Sequence, residues 1–255
     1  MTLDDQSSEE MFLVSLEGDY EDDSAWDAVR VLRRRNTEEV FQLATMHLNS
    51  ETPKHRARAM DVLAQLGAGK PTSERVQPDE CVALALAHLS DPDALVVHSA
   101  AWALAHRNED ERAITALIEL RHNTDPGVRL AAATGMAGSE RPDAIRTLIE
   151  LMDDSDDEVR NWATFGLGTQ CMPQDSDAIR DALRKRLNDS LIDARNEAVW
   201  GLALRRDPEG LQLLLESLET EEGPAGDEMV AAEILDLPLD TPVDELRAGL
   251  RKLLG

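Results

Sequence analysis

Aromatic residues are scarce in this 255-residue chain: four Trp, three Phe and one Tyr amount to 3% of it. A core must therefore be built from Ala, Leu, Val and Ile, which suits helices that approach one another closely. Lysine is scarcer still. Only Lys54, Lys70, Lys185 and Lys252 contribute to the 26 basic residues, which face 51 acidic ones. The resulting formal charge of -25 repels phosphate backbones and excludes a general nucleic-acid binder, which needs a basic stripe. Acid-rich, lysine-poor usage also fits adaptation to high salt. Cys81 and Cys171, the two cysteines, lie far apart, which argues against a disulfide framework or a zinc site. The apolar run from Met11 to Leu16 is far shorter than the roughly 20 residues needed to span a bilayer. Asp4, Asp5, Glu9 and Glu10 stand where a secretory signal would carry positive charge, so the cytoplasm is the expected compartment.

What the chain does have is a repeat. An acidic turn, a Val-Arg-like pair and an Ala-rich stretch recur in DPGVRLAAATGM from Asp125, DDEVRNWATFGL from Asp156 and, more loosely, IDARNEAVWGL from Ile192. With Arg56, Val97, Arg129, Arg160 and Arg195 as equivalent positions, the third residue onward is always alanine: Ala59, Ala100, Ala132, Ala163 and Ala198. The seventh is always large and apolar: Leu63, Leu104, Met136, Leu167 and Leu202. A weaker sixth copy aligns Glu228 with Ala231 and Leu235. Self-similarity at such a period implies stacked units that share one continuous core.

The spacing predicts an all-α chain of helix pairs. First helices fall near 37–49, 78–89, 110–121, 141–152, 175–187 and 208–218; second helices fall near 54–66, 93–105, 126–137, 157–168, 193–204 and 227–236. Ile114, Leu117, Ile118 and Leu120 return as Ile145, Leu148, Ile149 and Leu151, one apolar face at helical spacing. Residues 1–24 are acidic and read as a disordered or loosely docked leader. Residues 25–255 read as a single repeat domain, with a capping helix at 25–35, repeats over about 37–236 and a terminal capping helix near 241–254. The segment 67–77, GAGKPTSERVQ, is the longest irregular insertion.

These repeats resemble the HEAT family, specifically the short type named after phycobilisome lyases. The resemblance implies an α-solenoid of five to six antiparallel helix pairs, with second helices lining a concave surface and first helices a convex one. It also implies a scaffold or protein-binding role, since most members act that way. Two enzymatic branches can be tested on residues. Deoxyhypusine hydroxylases hold iron with His-Glu dipeptides, and none of the six histidines here (His47, His55, His88, His98, His106, His122) precedes Glu. DNA glycosylases of similar architecture use a basic groove, which the net charge opposes.

Local motifs add no catalytic site. The run Asp153-Asp154-Ser155-Asp156-Asp157-Glu158 lacks the glycine and ligand spacing of a calcium loop and reads as a solvated turn. Gly67-Ala68-Gly69-Lys70 lacks the upstream glycine, strand and helix of a phosphate loop. Asp125 and Asp156, four residues before Arg129 and Arg160, read as helix caps, with the arginines bonding between neighbouring repeats. No catalytic residue, cofactor or metal is expected.

The fifth position after the reference points away from the core side of the second helices. It holds Asp61, Trp102, Thr134, Phe165 and Trp200, so three of the eight aromatics fall on the face expected to be concave. His98, Asn161 and Asn196 share that side. Exposed rings flanked by hydrogen-bonding groups make interface anchors, whereas helix tilt would instead bury them between repeats. Trp162, on the helix flank, reads as inter-repeat packing. The expected function is a non-catalytic protein-interaction module. It would hold a basic or partly apolar segment of another protein through Trp102, Phe165, Trp200, His98, Asn161 and Asn196. A bilin lyase-like accessory subunit and a stoichiometric inhibitor of a basic protein are the alternatives.

Overall fold

A computed structural model describes residues 6–172, 174–220, 223–224 and 226–255. Among the described residues there are fifteen α-helices and no strand. The chain divides into two compact units, residues 1–135 and 136–255.

In the first unit, α1 (Ser8–Leu16) and α2 (Asp23–Arg35) precede the pairs α3 (Glu38–His47) with α4 (Pro53–Ala64), and α5 (Pro78–His88) with α6 (Ala94–Ala105). The third pair is α7 (Glu111–Glu119) with α8 (Pro126–Met136), whose last residue falls at the boundary. The second unit contains α9 (Pro142–Leu151) with α10 (Asp157–Phe165), α11 (Asp177–Arg186) with α12 (Ile192–Leu204), and α13 (Pro208–Leu218) with α14 (Asp227–Leu235). It ends with α15 (Val243–Leu254). Six pairs at the expected places follow from local chemistry. Asp93, Asp110, Asp156 and Asp207 cap the next helix with their carboxylates, and Pro53, Pro78, Pro142 and Pro208 occupy first-turn positions where no N–H is needed.

The repeat register is the core register. Ala59, Ala100, Ala132, Ala163, Ala198 and Ala231 are all fully buried, as are Leu104, Met136, Leu167 and Leu202 at the seventh position. Small residues there let α4 pack on α6 in the first unit, and α10 on α12 on α14 in the second.

Two of the reference arginines, Arg56 and Arg160, act between repeats, whereas Arg195 donates to Asp189 O and Ser190 O in the turn before its own helix. Arg56 donates to Ser50 O (2.8 Å) and to both carboxylate oxygens of Asp91 (2.9 and 2.8 Å). Arg160 donates to Asp154 O (2.9 Å) and to both oxygens of Asp189 (3.0 and 3.1 Å). Each guanidinium thus ties the turn before its own helix to a turn of the following pair. A second recurrent arginine caps helix ends. Arg107 Nη2 reaches Leu63 O (2.9 Å) and Leu66 O (3.2 Å), and Arg205 takes up Leu167 O, Gly168 O and Cys171 O. Backbone carbonyls left over at helix ends need such donors when buried.

Two expectations change. The first concerns residues 6–24, read as a disordered or loosely docked leader. They form α1, closed by a reciprocal Ser7–Glu10 capping box, and bury Met11 and Phe12 completely. The Phe12 ring stacks on His47 at 4.2 Å. Burying two large apolar side chains is worth about 1.5–3 kcal/mol each, which outweighs the acidic composition around them. Residues 1–5 of that leader lie outside the described residues. The second concerns α10, expected to run to 168. It ends at Phe165, and residues 166–170 form a wider π-type turn. A Cβ on Gly201 would lie 2.6 Å from Gly168 Cα, so the wide turn and α12 meet glycine against glycine.

Candidate partner-binding site

Trp102, Phe165 and Trp200 all sit on second helices and are all half-buried, but each is held differently. Trp102, on α6, has His98 one turn before it and His106 one turn after, with ring centroids 6.4 and 5.9 Å away. It borders a pocket of about 270 Å³ in the first unit. His98 and His106 line the same pocket, together with Tyr20 from the connection between α1 and α2, Trp26 and Arg33 from α2, and Asp61 from α4.

The pocket floor is a charge cluster that fastens the N-terminal segment down. Arg58, wholly buried on α4, donates to Ser15 O (2.9 Å), to Tyr20 O (2.7 Å) and to the Asp61 carboxylate (3.2 Å). Its guanidinium lies 4.2 Å from the Tyr20 ring centroid and 4.6 Å from that of Trp26. The Tyr20 hydroxyl donates to Asp61 and lies 2.9 Å from Ser99 Oγ. Burial first, then the Asp61 charge, pushes the Tyr20 hydroxyl well above its ordinary range, so it stays a donor. Burial likewise pushes the Asp61 carboxyl up, against the pull of Tyr20 and Arg58.

Arg33 is committed as well. It donates through Nε (3.0 Å) and Nη2 (2.8 Å) to Asp61 O and through Nη1 to Gln65 Oε1 (3.1 Å). Gln65 Nε2 lies 2.7 Å from His106 Nε2, so the amide donates and the ring nitrogen accepts. The low-dielectric surroundings of that ring, with Arg33 and Arg107 close by, hold the His106 pKa down to about 4 although part of the residue reaches solvent. His106 is therefore neutral at physiological pH.

In the second unit, Phe165 meets Trp162 edge-on, with centroids 5.4 Å apart. Asn161, on the same helix, is half-buried, and its Oδ1 has no hydrogen-bond partner among the described residues. Trp200 is pinned by its own chain. Its Nε1 donates to Asp227 Oδ1 (2.7 Å), Gly226 lies against its ring, and Asp227 also accepts from Ser217 Oγ (2.5 Å). Asn196 and Trp200 border a smaller pocket of about 210 Å³. The structure thus brings Trp102 together with His98 in the first unit, and Trp200 with Asn196 in the second. Phe165 sits with Trp162 rather than with either pocket.

The family model of HEAT repeats matches residues 45–137, 82–168, 116–186 and 145–236, overlapping segments that cover most of the chain. The chain belongs to the HEAT-repeat family. Among curated proteins, it is 34% identical to Protein YibA of Escherichia coli (strain K12) over 92 residues, 36% of this chain and 32% of that one. The match thus spans about a third of the length of YibA. The crystal structure of the E. coli YibA protein is similar over 99% of this chain and 93% of that one, with a TM-score of 0.74 and 22% identity. A designed armadillo repeat protein in complex with the peptide (KR)4 aligns over 78% of this chain and 99% of its own, at TM-score 0.54 and 16% identity. The complex of CpcE and CpcF of phycocyanin lyase from Nostoc sp. PCC7120 aligns over 98% and 94%, at TM-score 0.52 and 16% identity. These likenesses share the HEAT and armadillo type of helical solenoid.

Within this HEAT chain, the helical-wheel reading finds Trp102 and His98 and misses the rest of their pocket. Tyr20, Trp26 and Arg33 arrive from outside the repeat periodicity, whereas Asp61 holds the same repeat position as Trp102 one pair earlier. A signal was present: Phe12, Tyr20 and Trp26 place three of the eight aromatics within the first 26 residues, a density that a solvated leader would not need. Among the described residues, no helix is long and apolar enough to cross a membrane, and no group of three His, Cys, Asp or Glu is arranged to hold a metal ion.

Proposed function

We propose that this HEAT-repeat chain is a non-catalytic protein-interaction module. It binds a basic or partly apolar segment of another protein, with Trp102 and its pocket as the principal anchor. The observation that carries this is a half-exposed tryptophan beside an aromatic-lined pocket, on an interaction-type repeat fold whose formal charge is -25. Large aromatic side chains in partly desolvated pockets are the usual energetic centres of protein interfaces. The designed armadillo protein that holds (KR)4 offers a precedent for a helical solenoid receiving a basic peptide. Trp200 and Asn196 are a secondary contact point, since Asp227 already occupies the indole N–H. Phe165 and Asn161 supply a third.

The test is fluorescence anisotropy of labelled (KR)4 against the full chain, with a glutamate-rich peptide as control. The basic peptide should bind, and raising salt should lower its association rate before it raises its dissociation rate. Trp102→Ala should weaken binding about tenfold or more, as truncating an interface anchor does, with the helical content unchanged. Equal affinity for both peptides, or an unaltered affinity in a folded Trp102→Ala variant, would overturn the assignment.

A further inference from the structure

Among the described residues of the second unit, seven carboxylates are buried or half-buried, and six of them are answered at short range. Arg141 holds Asp143, Arg160 and Arg186 hold Asp189, and Arg180 and Arg184 hold Asp207. Backbone N–H groups hold Asp154 and Asp156, and Trp200 and Ser217 hold Asp227. Glu197 is the seventh. Its Oε2 has only the Thr169 hydroxyl, at 3.4 Å, and that hydroxyl is shared with Phe165 O at 3.2 Å.

Glu197 lies on the seam between α12 and α10. A Cβ on Gly168 would come within 2.8 Å of Glu197 O, and Thr169 is one turn beyond Phe165, whose ring meets Trp162 edge-on. Its neighbour in sequence is Asn196, so the carboxylate stands beside the third contact point and next to the second. Around it, Arg160 on α10 and Arg180 and Arg184 on α11 are held by Asp189 and Asp207, and Glu209 on α13 lies against Arg184 at 3.5 Å. Asp227 on α14 is covered by Trp200 and Ser217. No cation of the unit therefore answers Glu197; burial first, then Asp193 on its own helix, pushes its carboxyl up to about 7. A half-buried carboxylate without a donor of opposite charge costs the fold stability, and such costs cluster where a chain meets another molecule.

Resting on the proposed interaction role, we infer that Glu197 is its anionic anchor and receives a lysine or arginine side chain of the partner segment beside Phe165. The basic group supplies the charged donor that the other inner carboxylates find within the chain. A cation placed there also gains from an adjacent aromatic ring. Partial burial makes the pair count for more than one on the open surface, where solvent screens it. Once paired, Glu197 returns to the ordinary carboxylate range, so binding at neutral pH releases a proton. Acid, which neutralises the carboxylate, weakens binding.

The test titrates the full chain with labelled (KR)4 at pH 8 and pH 6 and follows the ¹³C carboxyl resonance of Glu197. Glu197→Gln should weaken binding about 5- to 20-fold at pH 8, and the gap should shrink to about two- to threefold at pH 6. Both proteins keep every histidine, so any slope they share belongs to those residues. The exposed Glu233→Gln removes the same charge from α14 and should change affinity less than about twofold. In the wild type, the peptide should move the Glu197 titration down toward the ordinary carboxylate range. Glu197→Gln should also melt higher than the wild type at pH 8, and weaker binding by a more stable protein is an outcome that a purely structural role does not produce. Equal affinity of wild type and Glu197→Gln at pH 8, an equal loss in Glu233→Gln, or an unmoved Glu197 resonance would overturn the anchor while leaving the interaction role standing. Failure of (KR)4 to bind at all would overturn both.

Discussion

Replacing Asp189 by Asn should loosen the second unit in a way that depends on pH. The Asp189 side chain is 2% exposed and receives five hydrogen bonds: two from Arg160, one from Arg186 at 3.0 Å, one from the Leu191 N–H at 3.0 Å and a longer one from Ser190 Oγ at 3.4 Å. The hydrogen bonds from Arg160 come first, then that of Leu191 and the two positive charges. Together they overcome burial and hold the Asp189 pKa at about 2. A free aspartate titrates near 3.9, so the folded state binds this proton less tightly than the unfolded state, by roughly 2–3 kcal/mol. That contribution is complete above about pH 5. It falls as pH drops toward the folded-state value, to about half near pH 3. Asp189→Asn keeps the shape and one acceptor but loses the charge. It should therefore lower stability by roughly 2 kcal/mol at pH 7 and by about 1 kcal/mol at pH 3. Urea denaturation in a Trp26→Phe, Trp102→Phe background reads this directly, because Trp162 and Trp200 then report on the second unit alone. A difference that is absent at pH 7, or equally large at pH 3, would refute the assignment of Asp189 as the carboxylate that ties Arg160 to Arg186.

Glu197 should show the opposite slope: burial first, then the nearby Asp193 charge, pushes its pKa up to about 7 despite a hydrogen bond from Thr169 at 3.4 Å. The folded state holds this proton more tightly, so stability is lost as pH rises from about 4 to 7. Glu197→Gln should be neutral at pH 4 and stabilising by roughly 1–3 kcal/mol at pH 8, after allowance for partial solvent screening; equal stability at both pH values would count against it. In the first unit, Phe12→Ala removes a fully buried ring and should cost roughly 3–5 kcal/mol. Hydrogen exchange over residues 8–16 should accelerate accordingly, and unchanged protection there would mean that α1 does not depend on its apolar side.

The helix pairs were legible because the repeat encodes them redundantly. Alanine at the third position and a large apolar residue at the seventh specify which side of a second helix is inward, whatever lies between. Arg160 was legible for the same reason, since an arginine that returns with the period answers a need shared by most pairs, although Val97 and Glu228 stand at that position in two of them. The π-type turn after Phe165 was not legible. It depends on Gly168 and Gly201 meeting across two helices, and on Arg205 collecting the carbonyls that the turn releases, none of which is visible within one helix.

The candidate site divides along the same line. A helical wheel states where a side chain leaves its own helix, but not what the rest of the chain brings to meet it. Trp102 and Trp200 hold equivalent positions, yet Gly226 and Asp227 close over Trp200 while Trp102 stays beside an open pocket. Asp61 holds that position one pair earlier and is buried beneath Tyr20 and Arg58. Equivalent positions therefore end in three different environments, and non-repeating segments decide between them: residues 6–35 in the first unit and the 223–227 stretch in the second. In a repeat protein the periodic residues specify the scaffold, whereas selectivity has to come from whatever breaks the period. On the proposed interaction role, Tyr20, Glu21 and Trp26, which line that pocket from outside the repeats, are where such selectivity is expected to arise.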